Sequence, residues 1–355
     1  MRDQSHRDMS LLIDSARTCR LHYNNAVQHE AAGILVRSKL FAISQRLHFS
    51  DLKRENMALV AAEMVTNQVK YAGGRGMIQI WEQPGPTLDI LALDYGPGIS
   101  NLKLAQQDGY SSTNTLGKGL GSIQRLADEI HIYTRPEGGS GQGKSWTGTA
   151  VLARFRKGSG EAGRLPAELG LYARALTDER FNGDHLYFQA TATGLRWLHL
   201  DGLGHGQSAQ EATANLGACL LEHDRPDAIM HALDERLRDS RGAVAILADL
   251  DLRARRLTLH GVGDMQAYVV QDERLQRYAF SPGILGKEYK LPAAQQFELA
   301  AKAAVVTVSD GIRRSWNEDS FPGLFHLHPQ LIAYVLGNIM GRISDDQSMC
   351  VVRLP

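Results

Sequence analysis

The chain has 355 residues, enough for two or three domains that each bury a core of their own. Its 39 basic and 39 acidic residues balance, so net charge gives no indication of a nucleic acid or an acidic surface as a partner. The three cysteines, Cys19, Cys219 and Cys350, lack the spacing of metal ligands or of a disulfide framework, and such usage is typical of a reducing compartment.

Neither a secretory signal nor a membrane span can be recognised in the sequence. The first ten residues, MRDQSHRDMS, contain no apolar stretch of signal-peptide length. No later segment has about 18 uninterrupted apolar residues, the length that a spanning helix requires. We therefore expect a cytoplasmic protein that makes no use of a membrane.

The first predicted elements are helix and strand over residues 11–56, where RSKLFAISQRL has apolar positions at helical spacing. The next segment, AAEMVTNQVKYA, is also helical in pattern. Glu63 and Asn67 are four residues apart within it, so their side chains share one face of the helix. An amide oxygen beside a carboxylate suits Mg²⁺, which proteins usually share with substrate phosphates.

Two predicted strands follow, MIQIWEQ and LDILALD, joined by a turn at residues 84–86. The second strand ends in the stretch LALDYGPGI, which places Asp94 at the strand end. Gly96 and Gly98 allow a sharp turn and a close approach of the backbone to a ligand. An ionised carboxylate only accepts hydrogen bonds, so Asp94 can accept one from an exocyclic amine such as that of adenine.

A glycine-rich loop then opens another predicted helix, GSIQRLADEI. The loop consists of Gly117, Lys118, Gly119, Leu120 and Gly121, and it offers free N–H groups and a helix N-terminus to phosphate oxygens. Two more predicted strands, EIHIYTRP and TAVLARF, complete this half. Each motif alone is weak evidence, whereas the three in this order form a specific pattern.

This order of motifs resembles the GHKL ATP-binding fold, and residues 10–155 are most similar to RsbT-like serine/threonine kinases of the anti-sigma-factor kinase family. The resemblance implies ATP and Mg²⁺ as cofactors, with Asn67 binding Mg²⁺ and Asp94 recognising adenine. It implies that Glu63 orients or deprotonates the attacking hydroxyl. The remaining nucleotide-binding positions that it implies are Gly96, Gly98, Gly117, Lys118, Gly119, Leu120, Gly121 and Thr149.

Between Arg156 and Glu168 the sequence KGSGEAGRLPAE is glycine-rich and polar, as in an exposed linker. We expect an ATP-binding kinase domain over residues 1–156, a linker over 157–167 and a second domain over 168–355. The second half predicts a layered α/β sandwich, with a helix from Gln207 to about Glu222 and another at Pro329–Met340. Its predicted strands are LGLYARAL, HLYFQAT, GLRWLHL, AVAILADLD, RLTLHGVG, QAYVVQ, AAVVTVSD and MCVVRLP.

Acidic residues of the second half fall at the ends of predicted strands, next to glycine or another small residue. The four turns carry Asp184, Asp201, Asp310 and the pair Asp345-Asp346. An Asp-Gly pair is often only a turn. Four together describe an oxygen-rich site for Mg²⁺ or Mn²⁺, and two such ions about 3.5–4 Å apart can activate a water for attack on phosphorus.

These turns resemble the PPM-type metal-dependent protein phosphatases, in particular the SpoIIE and RsbX branch, over roughly residues 168–355. The shared motifs are D-G-x-G-H-G, S-D-G and a terminal D-D before a strand. The resemblance implies an α/β-β/α-like sandwich and two ions bridged by Asp201. It implies that Asp184 and the carbonyl of Gly202 serve one ion, and that Asp310 and Asp345 serve the other. Asp346 is an alternative to Asp345, because spacing does not distinguish adjacent carboxylates.

Together the resemblances imply an α/β protein with two opposed activities. One half is expected to phosphorylate a serine or threonine of a STAS-domain partner, and the other to remove the phosphate. Two alternatives stay open at this point: the GHKL half only holds ATP and binds a partner such as a sigma factor, or ATP occupancy gates the phosphatase. A homodimer is also compatible with the sequence.

Overall fold

A computed structural model describes residues 12–85, 87–105, 119–138, 146–158, 165–176 and 180–354. The described residues combine β-sheets with helices, which confirms the predicted α/β class. Their strands, in chain order, are β1 Leu12–Asp14, β2 Arg20–Val27, β3 Gly76–Gln83, β4 Thr87–Asp94, β5 Glu129–Arg135, β6 Gly148–Arg156, β7 Glu168–Arg174, β8 Asp184–Ala190, β9 Gly194–Gly202, β10 Ala243–Asp251, β11 Arg256–Val262, β12 Gln266–Gln271, β13 Arg274–Ala279, β14 Gln295–Glu298, β15 Ala304–Val308 and β16 Gln347–Arg353.

Helices connect and cover these strands. In chain order they are α1 Ser15–Thr18, α2 Ala32–Arg46, α3 Asp51–Ala72, α4 Leu102–Ala105, α5 Gly119–Leu126, α6 Gln207–Thr213, α7 Ala218–Glu222, α8 Pro226–Leu237 and α9 Pro329–Met340. No helix in the described ranges has both the length and the apolar character that crossing a membrane requires.

The chain forms two compact units, and each unit includes a segment from the other half of the sequence. The N-terminal unit consists of described residues between 19 and 161 and of residues 315–339. The C-terminal unit consists of described residues up to 18, those between 162 and 314, and those from 340 onward. Residues 12–18 thus belong to the unit formed mainly by the second half of the sequence, and residues 315–339 to the unit formed mainly by the first half. The expected bounds of 1–156, 157–167 and 168–355 stay a prediction.

The N-terminal unit is built on a five-stranded antiparallel sheet with the order β2-β3-β4-β6-β5. Helices α2, α3 and α5 contribute to the core on one face, where alternate residues such as Ile78, Ile90 and Val151 are buried. Ser50 caps the N-terminus of helix α3, and its side chain accepts a hydrogen bond from the Lys53 N–H.

Helix α9 belongs to this unit and packs on residues of β3 that point to the other face of the sheet. The amides of Gln79 and Asn338 pair reciprocally, at 2.7 and 3.2 Å. The rings of Trp81 and Tyr334 lie 5.2 Å apart. Residues 329–337 are all buried, which explains why the segment is apolar around its whole circumference.

The C-terminal unit is a sandwich of two antiparallel sheets with the orders β1-β8-β9-β10-β11-β14 and β13-β12-β15-β16-β7. Helices α6, α7 and α8 supply buried residues to a core on the outer face of the six-stranded sheet. His199 on β9 contacts Thr307 and Ser348 of the other sheet, so the inner faces meet there. Strand β1 pairs with β8, which places residues 12–14 in this unit.

Candidate functional sites

Asp94 lies at the end of β4 with its carboxylate held by the backbone. Its Oδ1 accepts hydrogen bonds from the N–H groups of Gly96 at 2.9 Å and Thr149 at 3.1 Å. Burial raises the pKa of Asp94, while these two backbone donors and Arg75 act in the opposite direction. The donors orient the side chain and leave Oδ2 as an acceptor for a ligand.

The glycines around Asp94 are required by close contacts. Gly98 has φ +72°, and a Cβ there would lie 2.4 Å from the Arg135 carbonyl oxygen. Gly148 has φ +148°, and its Cβ would lie 2.0 Å from the Asp94 carbonyl oxygen. A Cβ on Gly96 would meet the Cβ of Ala72 at 2.8 Å. The Asp-x-Gly-x-Gly motif therefore folds tightly against neighbouring strands and helix α3.

Helix α3 carries Glu63 and Asn67 and packs against β3 and β4. The buried side chain of Gln68 donates hydrogen bonds to the carbonyls of Met77 at 2.9 Å and Leu93 at 3.1 Å, which fixes α3 against β3 and β4. Glu63 and Asn67 are both half-buried. They are four residues apart on this helix, as the sequence predicted, so they lie on one face.

The glycine-rich segment is described only in part. Gly119, Leu120 and Gly121 lie in the first turn of α5, two residues earlier than the predicted helix start. The helix ends at Leu126, and β5 begins at Glu129. Gly117 and Lys118 lie outside the described residues, so their phosphate contacts remain a prediction.

The predicted metal ligands of the C-terminal unit come from the ends of four strands. Asp184, the first residue of β8, lies directly opposite Asp201 near the end of β9. Asp310 follows β15, and Asp345 comes shortly before β16, which pairs with β15. Directly opposed residues of an antiparallel pair project to the same face. The Asp184 and Asp201 carboxylates therefore lie side by side.

Two glycines of the predicted motifs are required by packing. A Cβ on Gly202 would lie 2.7 Å from the Ala209 carbonyl oxygen. A Cβ on Gly311 would lie 1.8 Å from the Asp346 carbonyl oxygen. The second contact joins the S-D-G turn to the Asp345-Asp346 turn, so the two motifs support one another.

Asp346 has a structural position distinct from that of Asp345. Its Oδ1 accepts from the Leu176 N–H and its Oδ2 from the Gly183 N–H, both at 2.7 Å. Asp345 instead lines a cavity together with Asp201 and Asp310. Of the two adjacent carboxylates, Asp345 is the better placed to bind an ion.

Burial and mutual repulsion perturb these carboxylates. Burial raises the pKa of Asp184 to about 7, with Asp346 and Asp310 adding to the effect and hydrogen bonds from Ser348 and Ser309 opposing it. The pKa of Asp201 is raised well above its ordinary value by burial and by Asp184 and Asp310. Carboxylates this close to one another hinder each other's ionisation. A hard divalent cation bound between them would stabilise their ionised forms.

The carboxylate oxygens of the predicted metal ligands are widely spaced. Within the described part of the chain, no three of these aspartates place one oxygen each within 4.8 Å of one another. Repulsion between the carboxylates favours such spacing. The type of donor therefore fits Mg²⁺ or Mn²⁺, and the oxygens come from separate strand ends that can each contribute to an ion.

Two residues of this site were missed by sequence reasoning. Asp264 and Arg314 line the same cavity of about 620 Å³. The Arg314 guanidinium donates to the Asp264 carbonyl oxygen and lies 3.8 Å from its carboxylate. Asp264 follows Gly263 at the end of a predicted strand, a signal of the same kind as in the recognised turns. Arg314 carried no comparable signal.

One further group of ligand-type side chains lies in the N-terminal unit, where Glu129, His131 and His328 each offer an atom within 4.8 Å of the others. Nδ1 of His328 accepts a hydrogen bond from the Gln330 N–H at 3.1 Å, which favours a proton on Nε2. Glu129 is paired with Arg156 at 2.5 Å. These side chains are engaged with protein groups, which disfavours a metal site.

Comparisons with known proteins identify relatives of this chain. The family model of the histidine kinase-like ATPase domain matches residues 27–141. The serine/threonine-protein kinase RsbT of Bacillus subtilis (strain 168) is 32% identical over 92 residues, which are 25% of this chain and 69% of RsbT. The chain belongs to the RsbT family. The predicted resemblance of the N-terminal half is thereby confirmed.

Three solved structures illustrate what this RsbT-family chain is similar to in fold. A structure from a study of the bacterial stressosome is 25% identical, covers 53% of this chain and 99% of that one, and has a TM-score of 0.48. RsbX in complex with magnesium is 17% identical, with coverages of 54% and 100% and a TM-score of 0.45. The PP2C domain of Bacillus subtilis SpoIIE with a fragment of its regulatory domain is 15% identical, with coverages of 91% and 95% and a TM-score of 0.42.

Proposed function

We propose that this RsbT-family chain is a bifunctional bacterial switch. Its N-terminal unit uses ATP to phosphorylate a serine or threonine of a STAS-domain partner, and its C-terminal unit hydrolyses the phosphoserine or phosphothreonine. The observation that carries the proposal is the direct opposition of Asp184 and Asp201 beside Asp310 and Asp345, in a chain that also holds an Asp94 site of the RsbT type.

In the kinase reaction, Asp94 accepts a hydrogen bond from the adenine amine through the oxygen that its backbone donors leave open. Asn67 would hold the Mg²⁺ that accompanies ATP. Glu63, on the same helix face, orients the attacking hydroxyl or accepts its proton. The phosphates are assigned to the glycine-rich segment from Gly117 to Gly121, at the start of α5.

In the phosphatase reaction, Asp184, Asp201, Asp310, Asp345 and the Gly202 carbonyl would hold Mg²⁺ or Mn²⁺. A bound pair of ions supplies Lewis acidity for the phosphoryl group and lowers the pKa of water. The chain itself positions the reacting groups, because the strand ends hold the carboxylates in place. Arg314, on the cavity wall, can pair with a phosphate dianion.

The kinase assignment is tested with the purified full chain, ATP·Mg²⁺ and a cognate STAS-domain protein. Asp201→Asn is present throughout to silence the reverse reaction. We expect phosphate on the STAS protein, and Glu63→Ala should abolish it. Glu55→Ala, an exposed carboxylate on the same helix, should leave the rate unchanged. If the protein with Glu63 intact binds the STAS protein but transfers no phosphate to it, the N-terminal unit is instead a module that holds ATP and binds a partner.

The phosphatase assignment is tested with the phosphorylated STAS protein and Mn²⁺. Asp201→Asn should abolish phosphate release, whereas Asp272→Asn, an exposed carboxylate in a turn, should not change it. Chelation with EDTA should stop the reaction, and added Mn²⁺ should restore it. Phosphate release by Asp201→Asn at the unsubstituted rate would contradict the proposed site.

A further inference from the structure

A buried chain of hydrogen bonds connects Asp184 to the opposite sheet. Thr307 Oγ1 lies 2.9 Å from His199 Nδ1, and His199 Nε2 lies 2.7 Å from Ser348 Oγ. Ser348 Oγ then donates to Asp184 Oδ2 at 2.7 Å. All four side chains are buried, with at most 4% of each residue exposed. The chain joins strands β15, β9, β16 and β8.

The direction of every bond in this chain follows from the carboxylate. In the ionised form that binds a metal ion, Asp184 can only accept, so Ser348 donates its single hydroxyl proton to it. Ser348 Oγ must then accept from His199, which places the imidazole proton on Nε2. Nδ1 is left with a lone pair, which accepts from the Thr307 hydroxyl. One tautomer of a neutral His199 satisfies all three contacts.

Both ring nitrogens of His199 have a protein partner. His199 is fully buried between the two sheets, where Nδ1 faces Thr307 and Nε2 faces Ser348. The ring therefore presents a fixed donor to Ser348 and a fixed acceptor to Thr307. Neither position on the ring is left to water, so the orientation of Ser348 does not depend on solvent.

We propose that His199 is a positioning residue for the proposed metal centre, acting through Ser348 to hold one oxygen of Asp184 and direct the carboxylate toward the ion. The proposal rests on the proposed phosphatase function. Groups that orient a metal-binding side chain commonly change metal affinity by about 10- to 100-fold when they are removed. The sequence contained no signal for this role, because His199 reads as one residue of an apolar strand.

The test measures binding of Mn²⁺ alone to the metal-free full chain, by calorimetry. Ser348→Ala and His199→Leu should each raise the dissociation constant for Mn²⁺ about 10- to 100-fold. Ser348→Thr keeps the hydroxyl and should bind as the unsubstituted protein does. Tyr187→Phe is the matched control. Tyr187 lies on β8, the strand that carries Asp184, and the substitution removes its buried hydrogen bond to the Thr213 carbonyl without touching Asp184.

The double variant separates positioning from general damage. If His199 acts through Ser348, then Ser348→Ala combined with His199→Leu should bind Mn²⁺ no more weakly than the weaker single variant. Losses that simply add would overturn the connection. Where His199→Leu does not fold, as judged by circular dichroism, Thr307→Val removes the donor to Nδ1 and should weaken Mn²⁺ binding. Unchanged binding in that variant overturns the role of His199.

Failure of the inference is distinct from failure of the proposed function. If Asp201→Asn binds Mn²⁺ as well as the unsubstituted chain, the metal centre itself is wrong. If Asp201→Asn abolishes binding but Ser348→Ala and His199→Leu retain the original affinity, the metal centre stands and the positioning role is overturned.

Discussion

The hydroxyl of Tyr334 donates a hydrogen bond to Asp89 at 3.0 Å, although 245 residues separate the two in the sequence. Asp89 also accepts two bonds from Arg154, both at 2.8 Å, and Gln83 donates to the Tyr334 hydroxyl at 2.8 Å. Asp89 and Tyr334 are fully buried. Helix α9 therefore satisfies a buried charge of the N-terminal sheet, and residues 315–339 are a structural part of that unit.

Replacing Tyr334 with phenylalanine should destabilise the N-terminal unit. A hydrogen bond to a charged group contributes about 1.5–3 kcal/mol, and its removal leaves Asp89 with Arg154 as its side-chain partner. Urea unfolding followed by tryptophan fluorescence measures the effect, because Trp81, Trp146 and Trp316 lie in this unit. Tyr172→Phe, which removes a buried bond to Gln347 in the other unit, is the control. An unchanged transition in Tyr334→Phe would contradict the argument.

A fragment limited to residues 19–161 should not remain monomeric. Without α9 the sheet exposes Trp81 and Gln79 and loses a partner of buried Asp89. Exposed apolar faces of this kind promote association. Light scattering and binding of a hydrophobic dye should report aggregation. The same fragment joined to residues 315–340 by a flexible linker should be monomeric, and equal behaviour of the two fragments would rule the idea out.

The sequence predicted the strands that carry the sites, because a buried apolar run that ends in an acid and a glycine is a distinctive local pattern. Asp94 and Asp201 were both found in this way. The bounds of α9 were also predicted, but its apolar circumference indicates burial without naming the surface that covers it. Residues 12–14 form too short a strand to show periodicity. The pairing of His199 with Ser348 depends on contacts between distant strands, which no local pattern encodes.

Asp94→Asn should weaken ATP binding. The amide places an N–H group where the carboxylate had only acceptors, so the adenine amine loses its partner or faces a donor. A lost hydrogen bond with an unsatisfied buried group costs about 1–3 kcal/mol, or about 5- to 150-fold in the dissociation constant. Calorimetry with ATP·Mg²⁺ measures it. Asp128→Asn, a carboxylate of the same unit paired with Lys53, is the control, and equal affinity in both variants would place adenine elsewhere.

Glu129→Gln should reduce stability at neutral pH and lose this effect in acid. Hydrogen bonds from His131 and Arg156 lower the pKa of Glu129 to about 2 in the folded chain, from an ordinary value of 4.5. The unfolded chain therefore binds the proton first as pH falls. The stabilisation is complete above pH 4.5 and is lost as pH falls toward 2.

The size of this effect is limited by solvent, because the Glu129 side chain is 31% exposed. We expect a difference of about 1 kcal/mol in the free energy of unfolding between the original chain and Glu129→Gln at pH 7. The difference should shrink as the pH of the urea titrations is lowered through about 4, where the unfolded carboxyl becomes protonated. Glu298→Gln, an exposed carboxylate of the other unit, gives the baseline. A difference that stays constant with pH would show that the substitution acts through packing and not through the charge of Glu129.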